Sequence, residues 1–325
     1  MVNGPILVVD DEPINLAEMR KILEPAYPLI FAKSGADAVE LAQQQVPSLI
    51  LLDIRMPDMD GYQVCERLKA HAETQNIPVI FVTCLSDVGD EEAGFLAGCV
   101  DYLIKPLVPS IVRARVKTHL SLVHASKLEK ICQEAIFMLG DAAHYNDDDT
   151  GDHIWRMASY AYQLAQALGW PDEQSEQLKL AAAMHDTGKI AVPERILKKP
   201  GPLDADEWEV MRNHTRIGYQ ILSRCDTPLF AMAAEIALCH HERWDGTGYP
   251  EGLAGQEIPV SARIVALVDV FDALSMKRSY KEPWPLEKIA AYLVDEAGKH
   301  FDPLLVGCFL SNLPDIVKIK TQWEG

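Results

Sequence analysis

Short apolar runs at regular spacing constrain the fold of the first hundred residues more than any other feature. Five runs occur, at residues 6–9 (ILVV), 29–31 (LIF), 49–52 (LILL), 79–82 (VIFV) and 102–104 (YLI). Stretches with the apolar spacing of helices lie between them, at residues 14–23, 37–44 and 62–70. Uninterrupted apolar runs of this length are typical of parallel strands that are buried on both faces. Five such units predict an α/β doubly wound sheet.

Polar residues follow four of these strands. They are Asp10 and Asp11 after the first strand, Asp53 after the third, Thr83 after the fourth and Lys105 after the fifth. Such sheets bind ligands at the carboxyl ends of their strands, and three converging carboxylates favour a hard cation such as Mg²⁺. A carboxylate beside Mg²⁺ and a lysine can accept a phosphoryl group. One acidic pair alone would be an ordinary solvated loop, but the whole set predicts a phosphoryl-accepting site.

These stretches resemble the receiver domain of bacterial response regulators. The resemblance rests on VVDDE, LLDIRMPDMDGY, FVTC and DYLIKPL, and it assigns residues 1–125 to this domain. It implies a flavodoxin-like fold, a sensor histidine kinase as partner, and a cis peptide bond before Pro106. The roles that it implies are Asp53 as phosphoacceptor, Mg²⁺ held by Asp10, Asp11, Asp53 and the backbone carbonyl of Arg55, and a switch formed by Thr83, Tyr102 and Lys105. Cys84 departs from the family, which usually has a smaller residue there, and this puts the lifetime of the phosphoryl group in question.

Residues 109–145 contain no proline after Pro109 and a single glycine, Gly140. Apolar residues follow at helical spacing, namely Val112, Val116, Leu120, Val123, Leu128 and Ile131. One interpretation is the last receiver helix packed on its own sheet. The other is a continuous linking helix that also pairs with a second protomer. The length of the stretch favours the second interpretation and therefore a homodimer.

The remainder of the chain, residues 146–325, has the spacing of helices, for example over 155–168 and 176–184. Asp204 and Glu207 predict a capping box at the start of a helix that runs through Arg212. We therefore expect an all-α second domain.

Histidines and aspartates recur in this second domain. They are His153, the adjacent pair His185 and Asp186, His214, the adjacent pair His240 and His241, and Asp269. Each histidine taken singly is more often a surface or core residue. Seven residues of these types together exceed one tetrahedral site and predict two octahedral ions that share a carboxylate, with Fe, Mn, Zn or Ni favoured over Mg²⁺. Because neighbouring side chains of a helix point about 100° apart, His240 and His241 are expected to bind different ions.

This pattern resembles the HD superfamily of metal-dependent phosphohydrolases, and within it the HD-GYP branch. The matching stretches are HDTGKIAVPERILKKPGPLDADEWEVMRNHTRIGYQIL, HHERWDGTGYP, IPVSARIVALVDVFDALSMKRSYK and GKHFDP. The resemblance implies hydrolysis of cyclic di-GMP to linear pGpG and onward to GMP, with two ions, Fe or Mn before Ni or Zn. It also admits GGDEF-domain proteins as partners. The implied roles are Asp186 as shared ligand and Lys189 beside the scissile phosphate. Arg278 and Lys281 are expected either to bind the other phosphate or to form a solvated basic turn. Tyr249 is expected either in the substrate pocket or packing its loop.

Two positions depart from the HD-GYP pattern. Asp149 stands where the family often has a glutamate that helps to bind a third ion, and Ser279 stands where it often has proline. Because the aspartate is shorter by one methylene, we expect two tightly bound ions and at most a weak third site at Asp149. The expected ligands are His153, His185, Asp186 and Asp269 for one ion, and Asp186, His214, His240 and His241 for the other.

Composition narrows the function further. The net charge of −18 argues against nucleic acid and anionic membranes as general partners, so an anionic ligand requires local cations. Seven scattered cysteines without a CxxC pair, no membrane-spanning apolar run and no signal-peptide pattern predict a cytoplasmic protein. The expected function is a cyclic di-GMP phosphodiesterase regulated by phosphorylation of Asp53. The alternatives are an HD-GYP scaffold with little or no turnover, and an HD phosphohydrolase that acts on another nucleotide.

Overall fold

The computed structural model describes residues 4–24, 26–84, 93–144, 151–276 and 282–322. The chain divides into two compact units, residues 1–130 and residues 131–325.

The first unit contains a parallel five-stranded sheet. Its strands are β1 (Ile6–Val9), β2 (Leu29–Ala32), β3 (Leu49–Asp53), β4 (Val79–Thr83) and β5 (Asp101–Ile104), in the order β2-β1-β3-β4-β5. Helices α1 (Pro13–Leu23), α2 (Gly35–Gln45) and α3 (Gly61–Ala70) follow the first three strands. The predicted doubly wound, flavodoxin-like fold is confirmed.

Both faces of this sheet are buried because successive strand residues point to opposite sides. Ile6 and Val8 pack with residues of α1, whereas Leu7 and Val9 pack with residues of α2 and α3. This arrangement explains why the strands read as uninterrupted apolar runs.

Strand register brings the polar strand ends to one edge of the sheet. Asp53 pairs with Val82, and Thr83 pairs with Ile104, so the ends of β3, β4 and β5 lie at the same level. The amide of Lys105 donates to the carbonyl of Thr83 at 2.7 Å.

Helix α4 (Pro109–His144) is 36 residues long. Its first part buries Val112, Val116 and Leu120 in the core of the first unit, as expected for the last helix of a receiver sheet. Leu128 and Ile131, farther along, remain 53% and 51% exposed. The two interpretations of the linker therefore describe different parts of one helix, and pairing with a second protomer stays a prediction.

The regular secondary structure described in the second unit is helical, apart from isolated bridges, and its helices are joined by loops and turns. Its helices are α5 (Gly151–Ala167), α6 (Asp172–Ala182), α7 (Glu194–Leu197), α8 (Ala205–Arg212), α9 (His214–Leu222), α10 (Pro228–Cys239), α11 (Val260–Ser275), α12 (Leu286–Asp295), α13 (Pro303–Ser311) and α14 (Leu313–Gln322), with 3₁₀ helices at Thr187–Ala191 and Gly255–Glu257. The rings of Tyr160, Phe271 and Phe309 pack edge to face in its core. The predicted capping box at Asp204 and Glu207 is confirmed.

No helix in the described ranges is both long enough and apolar enough to cross a membrane.

Candidate metal centre and phosphoacceptor site

An acidic group lies at the carboxyl edge of the sheet. Ligand atoms of Asp10, Asp11 and Asp53 fall within 4.8 Å of one another. The ammonium of Lys105 lies 3.0 Å from Asp10 Oδ2 and 3.2 Å from Asp53 Oδ1. Asp10 Oδ1 is oriented by the Asn15 side chain, which donates to it at 3.0 Å. Three acids and one lysine thus meet where a phosphoryl group and Mg²⁺ would bind.

Burial shapes the charges at this edge. Burial raises the pKa of the Asp53 carboxyl, and the charge of Lys105 opposes the rise. Burial lowers the pKa of Lys105, but its hydrogen bond to Asp10 and its contact with Asp53 outweigh burial and leave that pKa raised. Lys105 therefore stays protonated and available to neutralise anionic oxygens.

The remaining receiver residues surround the acids. Thr83 is buried at the end of β4, whereas Arg55 and Cys84 are exposed. The Tyr102 ring packs against Phe81, with the ring centroids 5.7 Å apart. The Lys105–Pro106 peptide is cis, as the resemblance implied. A cavity of about 540 Å³ beside Asp11 and Arg55 opens next to the acidic group.

The histidines and aspartates of the second unit come from five places in its fold. His153 lies on α5, His185 and Asp186 follow α6, His214 begins α9, His240 and His241 follow α10, and Asp269 lies on α11. Their ligand atoms form two groups, each within 4.8 Å: Asp186, His214, His240 and His241 in the first, and His153, His185 and Asp269 in the second.

Asp186 lies between the two groups. Its Oδ1 is 3.3 Å from His214 Nε2 and 3.6 Å from His240 Nε2. Its Oδ2 is 3.2 Å from His185 Nε2 and 2.8 Å from Lys189 Nζ. The two oxygens of one carboxylate therefore face different histidines, which is the geometry of a shared ligand.

His240 and His241 both fall in the first group, which agrees with the four ligands assigned to one ion but not with the expectation from helical spacing that the two histidines bind different ions. Their ring centroids are 4.0 Å apart. His240 caps α10 with φ −68° and ψ −12°, which is still helical backbone, so helical spacing does not prevent the two imidazole side chains from reaching one group.

Backbone carbonyls orient the rings of three histidines. The Nδ1 atoms of His185, His214 and His240 lie 3.0, 2.6 and 3.0 Å from the carbonyls of Ala182, Met211 and Ile236. A carbonyl oxygen only accepts, so each Nδ1 carries a proton and each Nε2 keeps a lone pair. Such contacts are typical of metal-binding histidines.

The lone pairs at Nε2 need a cation. His214 Nε2 and His240 Nε2 are buried, and neither has a hydrogen-bond partner in the described part of the chain. Each Nε2 lone pair faces Oδ1 of Asp186, so two hydrogen-bond acceptors face each other with no proton between them. Burial lowers the pKa of His214 to about 4, which keeps its ring neutral as metal binding requires. These residues fit a transition-metal ion.

Two residues that the sequence analysis missed hold His153. The Nδ1 of His153 lies 2.6 Å from Asp272 Oδ2, and Arg156 donates to both oxygens of Asp272 at 2.5 and 2.7 Å. Burial raises the pKa of Asp272, but these hydrogen bonds outweigh it and leave the pKa lowered. Arg156 follows His153 by three residues, and Asp272 follows Asp269 by three, so helical spacing could have revealed both.

The loop that follows His241 is held by hydrogen bonds to the side chain of Glu242. The buried Glu242 carboxylate accepts from the amides of residues 251, 252 and 253 at 2.7, 3.1 and 3.1 Å. The Tyr249 ring stacks on His241, with centroids 4.8 Å apart and planes 28° apart. Burial raises the pKa of Tyr249, so its hydroxyl keeps its proton. Tyr249 thus packs the loop and also lines a cavity of about 1000 Å³.

Four residues singled out in the sequence, Asp149, Arg278, Ser279 and Lys281, lie outside the described residues.

The fold and the two sites define a response regulator with a metal-dependent output domain. Comparison with known proteins agrees: the response regulator receiver domain matches residues 6–117, and the HD domain matches residues 125–305. The chain therefore belongs to the family of response regulators in which a receiver domain is joined to an HD domain.

Named relatives match this chain over different lengths. The chain is 39% identical over 351 residues to a "Probable cyclic di-GMP phosphodiesterase" of Vibrio cholerae serotype O1, covering 98% of this chain and 80% of the relative. It is 36% identical over 341 residues to "Cyclic di-GMP phosphodiesterase response regulator RpfG" of Xanthomonas campestris pv. campestris, covering 98% and 90%. It is 43% identical over 195 residues to "3'3'-cGAMP-specific phosphodiesterase 2" of Vibrio cholerae serotype O1, covering 60% and 37%.

Proposed function

We propose that this protein hydrolyses cyclic di-GMP to linear pGpG, with GMP as the further product, under control of its receiver domain. The observation that carries the proposal is the Asp186 carboxylate, whose Oδ1 faces the Nε2 lone pairs of His214 and His240 at 3.3 and 3.6 Å. While both rings are neutral and carry their proton on Nδ1, a bound cation relieves that arrangement. Two relatives that match nearly the whole chain are named for cyclic di-GMP hydrolysis, which supports this substrate.

The proposed centre holds two ions, iron or manganese, with Asp186 shared between them. When bound, such ions polarise the phosphoryl group and lower the pKa of water. The protein supplies the fixed geometry: neutral histidines are held by carbonyls, and Asp272 holds His153. No reorganisation of these side chains is then required during the reaction.

Lys189 has a separate proposed role. Its ammonium lies 2.8 Å from Asp186 Oδ2 and is not a metal ligand, since it has no lone pair while protonated. From that position it can offset charge on the scissile phosphate or donate a proton to the leaving oxygen. Arg278 and Lys281 are proposed to bind the second phosphate, because an acidic protein must supply positive charge locally.

A mixed cyclic dinucleotide is the second candidate substrate. A stretch of 195 residues, which covers 60% of the chain, is 43% identical to a relative named as specific for 3'3'-cGAMP. The same two groups of ligands would serve it, because the reacting bond is again a phosphodiester. The nucleobases, not the metal centre, must then decide between the two substrates.

Control is proposed to begin at Asp53, phosphorylated by a sensor histidine kinase with Mg²⁺ held by the acidic group. The exposed residues Leu128 and Ile131 of α4 support a homodimer that forms along this helix. Buried apolar area on such a helix stabilises association by roughly 25 cal/mol per Å².

One assay tests the catalytic proposal. Full-length protein loaded with Fe²⁺ or Mn²⁺ under anaerobic conditions is incubated with cyclic di-GMP or 3'3'-cGAMP, and the products are separated by chromatography. We expect pGpG from the native protein, and neither product nor bound metal in a variant with both His185→Ala and Asp186→Ala. His124→Ala, which removes an exposed histidine outside both groups, is the matched control. Full activity in the double variant would overturn the proposal.

A further inference from the structure

An open cavity beside the metal centre has no role in the catalytic proposal. It is about 1000 Å³ in volume and lies between α8, the start of α9 and the turn at Tyr249 and Pro250. Its size is within the range of small-molecule sites. The residues that line it include Trp208, Glu209, Arg212, Asn213, Arg216 and Tyr249.

Arg212 lies between two aromatic rings in this cavity. Its guanidinium carbon is 5.7 Å from the centroid of the Trp208 ring and 5.2 Å from that of the Tyr249 ring. Trp208 remains 44% exposed, so a large part of its ring is open to a ligand. Two aromatic rings and a planar cation at one place are suited to a flat, aromatic ligand.

The guanidinium of Arg212 is also chemically available. In the described ranges it makes no hydrogen bond or ion pair, although the chain carries 48 acidic residues against 30 basic ones. Arg216 lines the same cavity but binds Glu251 at 2.8 Å and donates to the carbonyl of Pro250 at 3.2 Å. Arg212 therefore keeps its full fork of N–H donors for a ligand.

The ring of Tyr249 lies between this cavity and the metal ligand His241. Tyr249 contacts Arg212 on one side, at 5.2 Å, and stacks on His241 at a centroid distance of 4.8 Å. Together these two distances limit the separation between the His241 ring centroid and the Arg212 guanidinium carbon to 10.0 Å. The cavity is therefore close enough to the metal centre to be considered as the site of a base attached to a bound phosphodiester.

We propose that this cavity is a guanine subsite, in which the base lies against Trp208 and its O6 and N7 atoms accept from Arg212. The inference rests on the proposed function, because it assumes a phosphodiester at the metal centre. Guanine presents two acceptors on that edge, which match the two donors of an arginine fork. Adenine presents a donor, its N6 amino group, beside the N7 acceptor and opposes the same fork. Arg212 thus sets the preference for guanine over adenine.

Steady-state kinetics of the metal-loaded full-length protein with cyclic di-GMP, 3'3'-cGAMP and cyclic di-AMP tests the subsite. We expect Arg212→Gln to lower kcat/KM for cyclic di-GMP roughly ten- to hundredfold, mainly through KM, with metal content unchanged. Glutamine pairs with the N6 and N7 atoms of adenine, so the relative preference for adenine-containing substrates should rise. Trp208→Ala should instead weaken all three substrates about equally, because stacking tolerates any base.

Arg224→Gln is the control, since Arg224 is exposed just beyond the other end of α9 and does not line the cavity. Unchanged KM and unchanged base preference in Arg212→Gln would overturn the subsite. The affinities of the metal-loaded protein for GMP and AMP, measured by calorimetry, distinguish an incorrect guanine subsite from an incorrect proposed function. If no cyclic dinucleotide is cleaved, the subsite still requires that Arg212→Gln weaken binding of GMP more than of AMP, and equal binding to native and variant protein refutes it.

Discussion

Replacing Gly188 with alanine should damage the metal centre and the stability of the second unit together. Gly188 lies in the 3₁₀ helix Thr187–Ala191, two residues after Asp186. A Cβ atom there would lie 1.9 Å from the carbonyl oxygen of His214 and 2.6 Å from the amide nitrogen of Gly218. Both contacts are with the backbone of α9, which cannot rotate away as a side chain would.

The size of the effect follows from that distance. Real Cβ contacts do not fall below 3.0 Å, so the 3₁₀ helix and α9 must separate by about 1.1 Å. Metal–ligand distances vary by only about 0.2 Å, and the displaced element carries His214, which faces Asp186 at 3.3 Å. Overpacking of this kind costs roughly 1–3 kcal/mol. For a unit of this size that corresponds to a decrease in Tm of about 2–4 °C per kcal/mol.

Elemental analysis of the metal-loaded protein measures the damage to the metal centre. Thermal unfolding of the metal-free protein measures the loss of stability separately. Gly307→Ala is the matched control, because a Cβ atom at Gly307, inside α13, meets no atom within 4 Å. We expect that control to stabilise the protein by about 0.5–1 kcal/mol, since alanine favours helix over glycine. Native metal content and native Tm in Gly188→Ala would refute the argument.

Four further predictions follow from the two sites. Asp53→Asn should abolish labelling by small phosphodonors with Mg²⁺ while helical content stays native; labelling at the native rate contradicts it. Lys189→Ala should keep both ions but lower turnover, and loss of metal would make Lys189 a structural residue. Asp272→Asn removes the charge that holds His153, so metal affinity should fall about 10–100-fold in a metal titration; unchanged affinity rules this out. Elemental analysis after purification with iron or manganese should give two ions per chain. Three fully occupied peaks in anomalous scattering, one of them coordinated by Asp149, would contradict this prediction.

The sequence predicted the receiver fold well because its strands are buried on both faces. Uninterrupted apolar runs such as residues 49–52 leave little choice of element, and parallel strands then bring Asp53, Thr83 and Lys105 to one edge. The sequence also predicted which histidines and aspartates would come together, since the structure brings all seven into two adjacent groups.

Whether His240 and His241 reach the same group was harder to predict, because helical spacing fixes only the directions in which neighbouring side chains leave the backbone. Their rings fall in one group, with centroids 4.0 Å apart. The position of Arg212 between Trp208 and Tyr249 was also beyond sequence patterns, since these residues come from α8 and from a loop 37 positions away from Arg212 in the numbering. Only tertiary packing sets such a contact.

The hydrogen bonds of Glu242 close the loop that follows His241 and fix the number of residues that it can contain. The carboxylate binds amides nine, ten and eleven residues ahead, and Gly248 folds inward so tightly that a Cβ atom would lie 2.3 Å from the amide nitrogen of Arg243. A loop closed in this way cannot accommodate a change in its number of residues without losing some of these hydrogen bonds. Inserting or deleting one residue between Glu242 and Glu251 would shift Tyr249 away from His241, even if every other side chain were kept. In protein engineering, this loop should therefore accept changes of side chain at its exposed positions but not changes of length.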